Sequence, residues 1–177
     1  KESRDFDVPM AAAHFFYHAG WADKLEYVAP GARVAPLGVV GQVIPWNFPL
    51  LMMAWKIAPA IAMGNCVVIK PATNTPLNAI KLAEIFQDAG LPPGVVNLLL
   101  GDGPTAGDAL VRHPQVDLLV FVGSEPTGRH LGGICGQHLK KAVLELGGKD
   151  ALIVDETVDI PTAARYAAEA AFSNAGQ

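Results

Sequence analysis

The chain has 177 residues, of which 51% are hydrophobic and 17% are charged, and its formal net charge at pH 7 is −4. This length is typical of one ordinary domain, and the low share of charged residues indicates a large core. The negative charge argues against nucleic acid and anionic membranes as partners, and no apolar run reaches the roughly 18 residues of a membrane span.

The first predicted helix covers residues 8–25, and Pro- and Gly-rich residues that are compatible with a hairpin at APGA follow it. From residue 38 onwards, apolar strands alternate with helices. The predicted strands are GVVGQVIP, CVVIKP, VVNLLLG, VDLLVFVG, KKAVLELGG and ALIVDE, separated by the predicted helices LLMMAWKIAPAIAMG, TPLNAIKLAEIFQDAG, PTAGDALVRHP and SEPTGRHLGGICGQHL and followed by DIPTAARYAAEAAFSNAG. In TPLNAIKLAEIFQDAG, Thr75 is expected to cap the helix, with Pro76 at its first position.

Strands that are apolar on both faces and alternate with helices indicate a parallel sheet that is covered on both sides. We therefore predict a doubly wound, mostly parallel α/β fold. In such folds the ligand lies at the carboxyl ends of the strands, so the residues that follow each strand are the candidate catalytic and ligand-binding residues.

The cysteines and histidines favour neither a metal site nor disulfides. Cys66 and Cys135 have no metal-ligand spacing and no disulfide pattern, which favours a reducing, cytoplasmic location. His14 and His18 stand one helical turn apart without a third ligand nearby. The opening KESRDFDVP has neither an initiator Met nor a signal peptide, and we interpret both ends as lying inside a longer chain.

The first two strands end in polar side chains. Asn47 follows the first strand in VIPWNFP, where two prolines stiffen the backbone. Its amide suits the stabilisation of an oxyanion, although an Asn in a turn can also be purely structural. Lys70 ends the second strand, where a cation is expected to face a ligand hydroxyl or phosphate; a solvated lysine is the alternative.

The third and fourth strands are followed by glycine-containing loops. In GDGPTAG, the glycines at 101, 103 and 107 miss the GxGxxG nucleotide-binding spacing by one residue. In FVGSEPTG, Ser124 is placed to cap the next helix and Gly123 permits close approach of a ligand. The N-terminus of such a helix is a potential anion site.

Glu145 ends the fifth strand in LELGGKD. A carboxylate that is buried in an apolar strand suits a general base near neutral pH. The alternative is a structural ion pair with Lys149 or with another neighbour.

Four segments, in order, resemble the aldehyde dehydrogenase superfamily: GVVGQVIPWNFPLLMMAWKIAPAIAMGNCVVIKPA, FVGSEPTGR, LELGGKD and FSNAGQ. The opening DFDVPMAAAHFFYHAGWADKL is similar to the helix that leads into its coenzyme domain, with a weaker likeness to the family 16 branch. The resemblance implies a Rossmann-like NAD(P)-binding domain over residues 1–147 and the start of the catalytic domain over 148–177. It also implies a nucleophilic cysteine two positions beyond Gln177, so the chain alone is expected to be inactive.

The resemblance also implies roles for individual residues. In this family a cysteine thiolate attacks the aldehyde, an amide stabilises the oxyanion, hydride passes to the nicotinamide and a glutamate activates the water that hydrolyses the thioester. Asn47 matches the residue whose amide stabilises the oxyanion, and Glu145 matches the glutamate that activates water. The resemblance implies no metal. The residues that match dinucleotide contacts are Val43, Ile44, Pro45, Trp46, Lys70, Ala72, Thr73, Gly103, Pro104, Gly107, Phe121, Gly123, Ser124, Thr127, Leu131, Leu146 and Gly147.

Two features depart from the family pattern. Thr73 stands after KPA, where many NAD-preferring members have a Glu that binds the ribose 2′-OH, so both NAD and NADP are admissible cofactors. The segment between GWADK and PLGVVG is shorter than the family's oligomerisation hairpin. A homo-oligomer is expected for the full-length protein, but its assembly stays open.

The leading interpretation is therefore part of an NAD(P)-dependent enzyme that oxidises an aldehyde to a carboxylic acid through a Cys thioester. A catalytically inactive module with a structural or interaction role is one alternative, which the presence of both Asn47 and Glu145 disfavours. A reductase of acyl phosphates, such as glutamyl phosphate reductase, is another, although it would not need a deacylating base. Neither Cys66 nor Cys135 resembles an activated nucleophile.

Overall fold

The computed structural model describes residues 3–176, and Gln177, with which the NAGQ motif ends, lies outside them. The chain divides into two compact units, one that runs to Leu146 and one that begins at Gly147. The first unit contains the sheet, and the second contains one long helix.

The first unit is built on five parallel strands: β1 (Val39–Val43), β2 (Cys66–Lys70), β3 (Val96–Leu98), β4 (Leu118–Val122) and β5 (Lys141–Glu145). Their order in the sheet is β3-β2-β1-β4-β5. The chain thus builds outwards from β1 on one side and then crosses to the other side at β4. This confirms the predicted doubly wound parallel fold, and it places the topological switch point between β1 and β4.

Seven α-helices accompany the strands among the described residues: α1 (Val8–Ala19), α2 (Leu25–Val28), α3 (Pro49–Ala62), α4 (Leu77–Asp88), α5 (Asp108–Arg112), α6 (Glu125–Gln137) and α7 (Ile160–Phe172). Short π-helical turns precede α1 at Ser3–Asp7 and α5 at Gly103–Gly107, and a 3-10 turn follows α7 at Ser173–Gly176. No helix in this part of the chain is both long and apolar enough to cross a membrane.

Two apolar clusters form the core, one on each face of the sheet, because successive side chains of a strand point to opposite faces. One cluster joins strand residues to α3 and α4 and contains Ile44, Met53, Ile57, Val67, Ile69, Ala79 and Leu82. The other joins strand residues to α5 and α6 and contains Val111, Leu119, Phe121, Leu131, Ile134 and Cys135. Since the three inner strands β2, β1 and β4 are largely covered on both faces, their ends are the places where a ligand can reach the sheet.

Several predicted boundaries were wrong. α1 ends at Ala19 rather than at residue 25, because the chain turns from Gly20 onwards, where the N–H of Trp21 donates to the carbonyl of His18 at 3.0 Å. No hairpin forms at APGA within the described residues. α4 begins at Leu77 with Pro76 as its N-cap residue, and the Thr75 hydroxyl is buried without a partner there.

The sixth predicted strand, ALIVDE, was also wrong. Residues 151–155 are exposed and form no strand in the described structure. The run ends in a turn, in which Asp155 accepts a hydrogen bond from the N–H of Thr157 at 2.9 Å. An apolar run forms a strand only if a neighbouring strand pairs with it. The sheet has β5 as its last strand, and ALIVDE does not join it.

Candidate functional site

A cavity of ≈ 610 Å³ lies at the switch point of the sheet. Its wall combines the end of β1, the glycine-containing turn after β3 and the first two turns of α6. The lining residues are Val43, Gly103, Pro104, Gly107, Asp108, Pro126, Thr127, His130 and Leu131. Six of the predicted dinucleotide contacts therefore surround one cavity, although they come from three separate parts of the chain.

The N-terminus of α6 borders this cavity. Ser124 is the N-cap residue, but its side chain does not cap a backbone N–H. Instead, its hydroxyl lies 2.9 Å from the hydroxyl of Thr127. The N–H groups of the first turn are thus left for another acceptor, and the positive end of the helix dipole favours an anion there.

Gly123 and Phe121 shape the approach to that helix. A Cβ at position 123 would come within 2.6 Å of Cζ of Phe121. The N–H of Gly123 donates to the carbonyl of Glu145 at 3.0 Å, so the turn is tied to the end of β5. The glycine therefore lets the buried Phe121 ring lie directly beside the turn.

Lys70 is buried, with 3% of its surface exposed, so the alternative of a solvated lysine is wrong. Burial lowers the pKa of its ammonium group, and the carboxylate of Asp102 acts in the opposite direction. Its Nζ donates to the carbonyl of Pro71 at 2.9 Å. An ammonium group has three N–H donors, so Lys70 can also bind a ligand oxygen.

The loop after β3 packs against Lys70. A Cβ at position 107 would lie 3.7 Å from Cδ and Cε of the lysine. Asp102 accepts a hydrogen bond from the N–H of Thr105 at 2.7 Å. This hydrogen bond is the main cause of the lowered pKa of Asp102. The loop is thereby held in a fixed turn between Lys70 and the cavity.

The residues that follow β1 and β2 become more exposed with distance from the sheet. Ile44 is buried, Pro45 is half-buried, and Trp46 and Asn47 are exposed. After Lys70, Ala72 is half-buried and Thr73 is exposed. The Thr73 hydroxyl lies 3.5 Å from the carbonyl of Gly101, which is at the outer limit of a hydrogen bond.

Glu145 is not buried, and this corrects the sequence prediction. Its side chain is 46% exposed, because β5 is the edge strand of the sheet. The carboxylate pairs with Lys56 of α3, whose own side chain is only 13% exposed. An ion pair was the alternative drawn from the sequence, but the partner is Lys56 and not Lys149.

A second cavity, of ≈ 590 Å³, lies beside this ion pair. Besides Lys56 and Glu145 it is lined by Met10, Ala13, His14, Tyr17, His18 and Trp55. The ring centroids of His14 and Trp55 are 5.4 Å apart in an edge-on arrangement. Burial lowers the pKa of His14, and the neighbouring His18 lowers it further. Across residues 3–176, no group of three or more His, Cys, Asp and Glu side chains could hold a metal ion.

The two cysteines differ in exposure. Cys135 is buried in the core, and this burial raises the pKa of its thiol, which disfavours the nucleophilic thiolate. Cys66 is exposed at the start of β2.

Leu146 and Gly147 lie at the boundary of the two units. The side chain of Leu146 occupies the space that a Cβ at Gly128 of α6 would need. Gly147 is the first residue of the second unit.

Three residues at these cavities were missed from the sequence. Asp108 and His130 line the first cavity, and their Oδ1 and Nε2 atoms are 3.0 Å apart. No spacing in the sequence connects them, since they lie on different helices. Lys56 could have been recognised as the one charged residue in the apolar segment PLLMMAWKIAPAIA.

A parallel doubly wound sheet, with a cavity at its switch point and an uncapped helix N-terminus beside it, defines a nucleotide-binding α/β protein. The chain belongs to the aldehyde dehydrogenase family, whose sequence model matches residues 1–177.

Individual relatives agree with this assignment. The chain is 49% identical over 189 residues to a phenylacetaldehyde dehydrogenase of Pseudomonas fluorescens, covering 99% of this chain and 38% of the relative. It is 47% identical over 186 residues to the mitochondrial aldehyde dehydrogenase family 2 member B4 of Arabidopsis thaliana, covering 100% of this chain and 35% of the relative. The structure of an NAD+ complex of aldehyde dehydrogenase from Bacillus cereus superimposes with a TM-score of 0.93 at 39% identity, covering 99% of this chain and 38% of that chain.

The chain thus spans little more than a third of the length of the relatives it matches. The likeness to the family 16 branch stays a prediction, because none of these comparisons supports it.

Proposed function

We propose that this chain forms the coenzyme-binding part of an NAD(P)-dependent aldehyde dehydrogenase that converts an aldehyde to a carboxylic acid. The observation that carries the proposal is the cavity at the switch point, around which six residues predicted to contact a dinucleotide come together. Two relatives described above are named as aldehyde dehydrogenases, and a solved neighbour is an NAD+ complex. In this proposal residues 1–147 are the NAD(P)-binding domain and 148–177 begin the catalytic domain.

The dinucleotide fits the chemistry of the cavity. Apolar side chains such as Val43, Pro104 and Leu131 suit the faces of a purine ring, and the first turn of α6 suits a pyrophosphate. Lys70 has N–H donors for a ribose hydroxyl or a phosphate. When bound, NAD(P) supplies the acceptor for a hydride.

Asn47 and Glu145 are the residues of this chain that would act on the substrate. The exposed amide of Asn47 donates a hydrogen bond to the oxyanion that forms when a thiolate attacks the aldehyde. Glu145 removes a proton from the water that hydrolyses the thioester. The thiolate belongs to the cysteine that the family resemblance expects after the NAGQ motif.

The substrate class is an aldehyde. We further propose a cytoplasmic enzyme that forms a homo-oligomer in its full-length form. Several relatives carry mitochondrial names.

The test is aldehyde-dependent formation of NAD(P)H by the full-length protein, compared with its Asn47→Ala variant. Loss of one oxyanion donor should lower kcat by about 10²–10³-fold. Asn74→Ala, which changes an exposed Asn in the turn after β2, is the matched control and should leave the rate unchanged. A wild type that reduces neither cofactor with a panel of aliphatic and aromatic aldehydes would contradict the proposal.

A further inference from the structure

Gln42 is a fully buried polar residue in the middle of β1, the central strand of the sheet. Its Nε2 donates to the main-chain carbonyl of Lys56 at 2.8 Å. Its Oε1 is buried and accepts no hydrogen bond from the described residues. A buried acceptor without a donor lowers stability, so the Oε1 atom of Gln42 makes no favourable contribution to folding.

The carbonyl that Gln42 contacts lies in an irregular part of α3. Pro59 is inside this helix and has no N–H to offer the carbonyl of Trp55, four residues earlier. The turn that carries Trp55 and Lys56 therefore lacks one of its helical hydrogen bonds. The amide of Gln42 ties the same turn to the sheet from outside the helix.

The side chain of Lys56 continues this connection to the proposed catalytic carboxylate. Its ammonium group pairs with Glu145, which is on another strand and about half exposed. Trp55, Lys56 and Glu145 also line the same cavity. A hydrogen-bonded path thus runs from Gln42 through the main chain and side chain of Lys56 to the carboxylate of Glu145.

We propose that Gln42 is a positioning residue for Glu145. It fixes the turn of α3 from which Lys56 reaches the carboxylate, and it thereby holds the carboxylate where it can remove a proton from water. This inference rests on the proposed function. It adds that the hydrolysis of the thioester depends on a buried amide that touches neither substrate nor cofactor.

Gln42→Met tests this in the full-length enzyme, because Met keeps the length of the side chain and removes both amide atoms. Thermal unfolding should be unchanged or shifted to higher temperature, since the unpartnered Oε1 is removed together with the donor. The steady-state rate should fall on the order of tenfold, because small displacements of a catalytic group have large effects on rate. The rate of the first hydride transfer should stay within about twofold of wild type.

Asn65, which lies between α3 and β2, offers a matched control because its amide also contacts a carbonyl of α3. It is also a buried amide, and its Nδ2 donates to the carbonyl of Ala60 of α3 at 3.1 Å. Its Oδ1 accepts from the N–H groups of Leu37 and Gly38. Asn65→Leu should lower the unfolding temperature, because two N–H donors lose their acceptor, without changing the ratio of hydride transfer to steady-state turnover.

A double-mutant cycle separates positioning from general destabilisation. In a Lys56→Met background, Gln42→Met should cause no further loss of steady-state rate, because both changes break the same path. The inference would be overturned if Gln42→Met lowered the steady-state rate equally in both backgrounds. It would also be overturned if the Gln42→Met enzyme kept the wild-type ratio of hydride-transfer rate to steady-state rate. Either result would leave the proposed function intact. A wild type without aldehyde oxidation would instead overturn the proposed function.

Discussion

Lys56 and Glu145 lie 89 residues apart in the chain, and their side chains form an ion pair. The two partners are not equally buried, because the lysine is 13% exposed and the carboxylate 46%. The lysine is thus fixed against the core, while the carboxylate borders the cavity beside it. This asymmetry leaves the carboxylate accessible from the cavity.

Thr73 leads to a prediction about cofactor choice. Its hydroxyl neither repels a 2′-phosphate nor binds a ribose diol as strongly as a carboxylate would. We expect the full-length enzyme to discriminate between NAD and NADP by roughly tenfold or less in kcat/KM, which corresponds to about 1.4 kcal/mol. Thr73→Glu should produce a clear preference for NAD, measured as the ratio of kcat/KM for the two cofactors.

Asn74→Glu is the control for this change, because it adds the same charge to the next residue, which is also exposed. It should leave the ratio close to that of wild type. A wild type that already rejects NADP a thousandfold would show that Thr73 is not the selecting residue.

Gly128 leads to a prediction about the packing of α6. Leu146 occupies the space where a Cβ would lie, so Gly128→Ala must displace the leucine, which is one of the predicted dinucleotide contacts. We expect weaker cofactor binding, measured by titration of the protein fluorescence with NAD.

Gly133 lies on the same helix, and a Cβ added there would have no neighbouring atom within 4 Å. Gly133→Ala should therefore stabilise the protein by about 0.5–1 kcal/mol, as for an ordinary helical position, and leave NAD affinity unchanged. If both alanine variants bind NAD like wild type, the placement of Leu146 at the cofactor is contradicted.

His14 leads to a prediction about pH. Its pKa in the folded protein is lowered by burial, so between that value and about 6.5 the unfolded chain binds more protons than the folded one. Stability should therefore rise with pH through this window, and the cost of protonating His14 should be fully present below it. His14→Phe, which keeps an aromatic ring beside Trp55, should flatten this part of the profile.

The measurement is the difference in unfolding free energy between wild type and His14→Phe from pH 5 to pH 8. The difference should change with pH below about 6.5 and level off above it, where His14 is neutral in both states. A difference that is constant over the whole range would contradict the environment assigned to His14.

The sheet could be predicted from the sequence because the five predicted strands that form it are apolar on both faces and end in proline or glycine. All five strands of the sheet lie within predicted strands. The grouping of Gly103, Gly107 and Thr127 at one cavity follows from the rule that ligands bind at the carboxyl ends of parallel strands.

The exposure of Glu145 could not be predicted in the same way. The apolar residues of KAVLE suggest a buried strand, but burial depends on the strand's place in the sheet, and β5 is at the edge. Its pairing with Lys56 depends on how α3 packs against the sheet, which has no local signal in the sequence. The ALIVDE segment was misjudged for a related reason, since its pattern does not reveal whether a partner strand exists.

The most direct test of the central claim is pre-steady-state kinetics of the full-length enzyme with Glu145→Gln. Loss of the general base should leave hydride transfer intact, giving a burst of one NAD(P)H per active site, and should lower the following steady-state rate by on the order of 10²-fold. Glu84→Gln, which changes a carboxylate paired with Lys81 on the surface of α4, should behave like wild type. Undiminished steady-state turnover in Glu145→Gln would contradict the account, because Glu145 would then be no more than the ion-pair partner of Lys56.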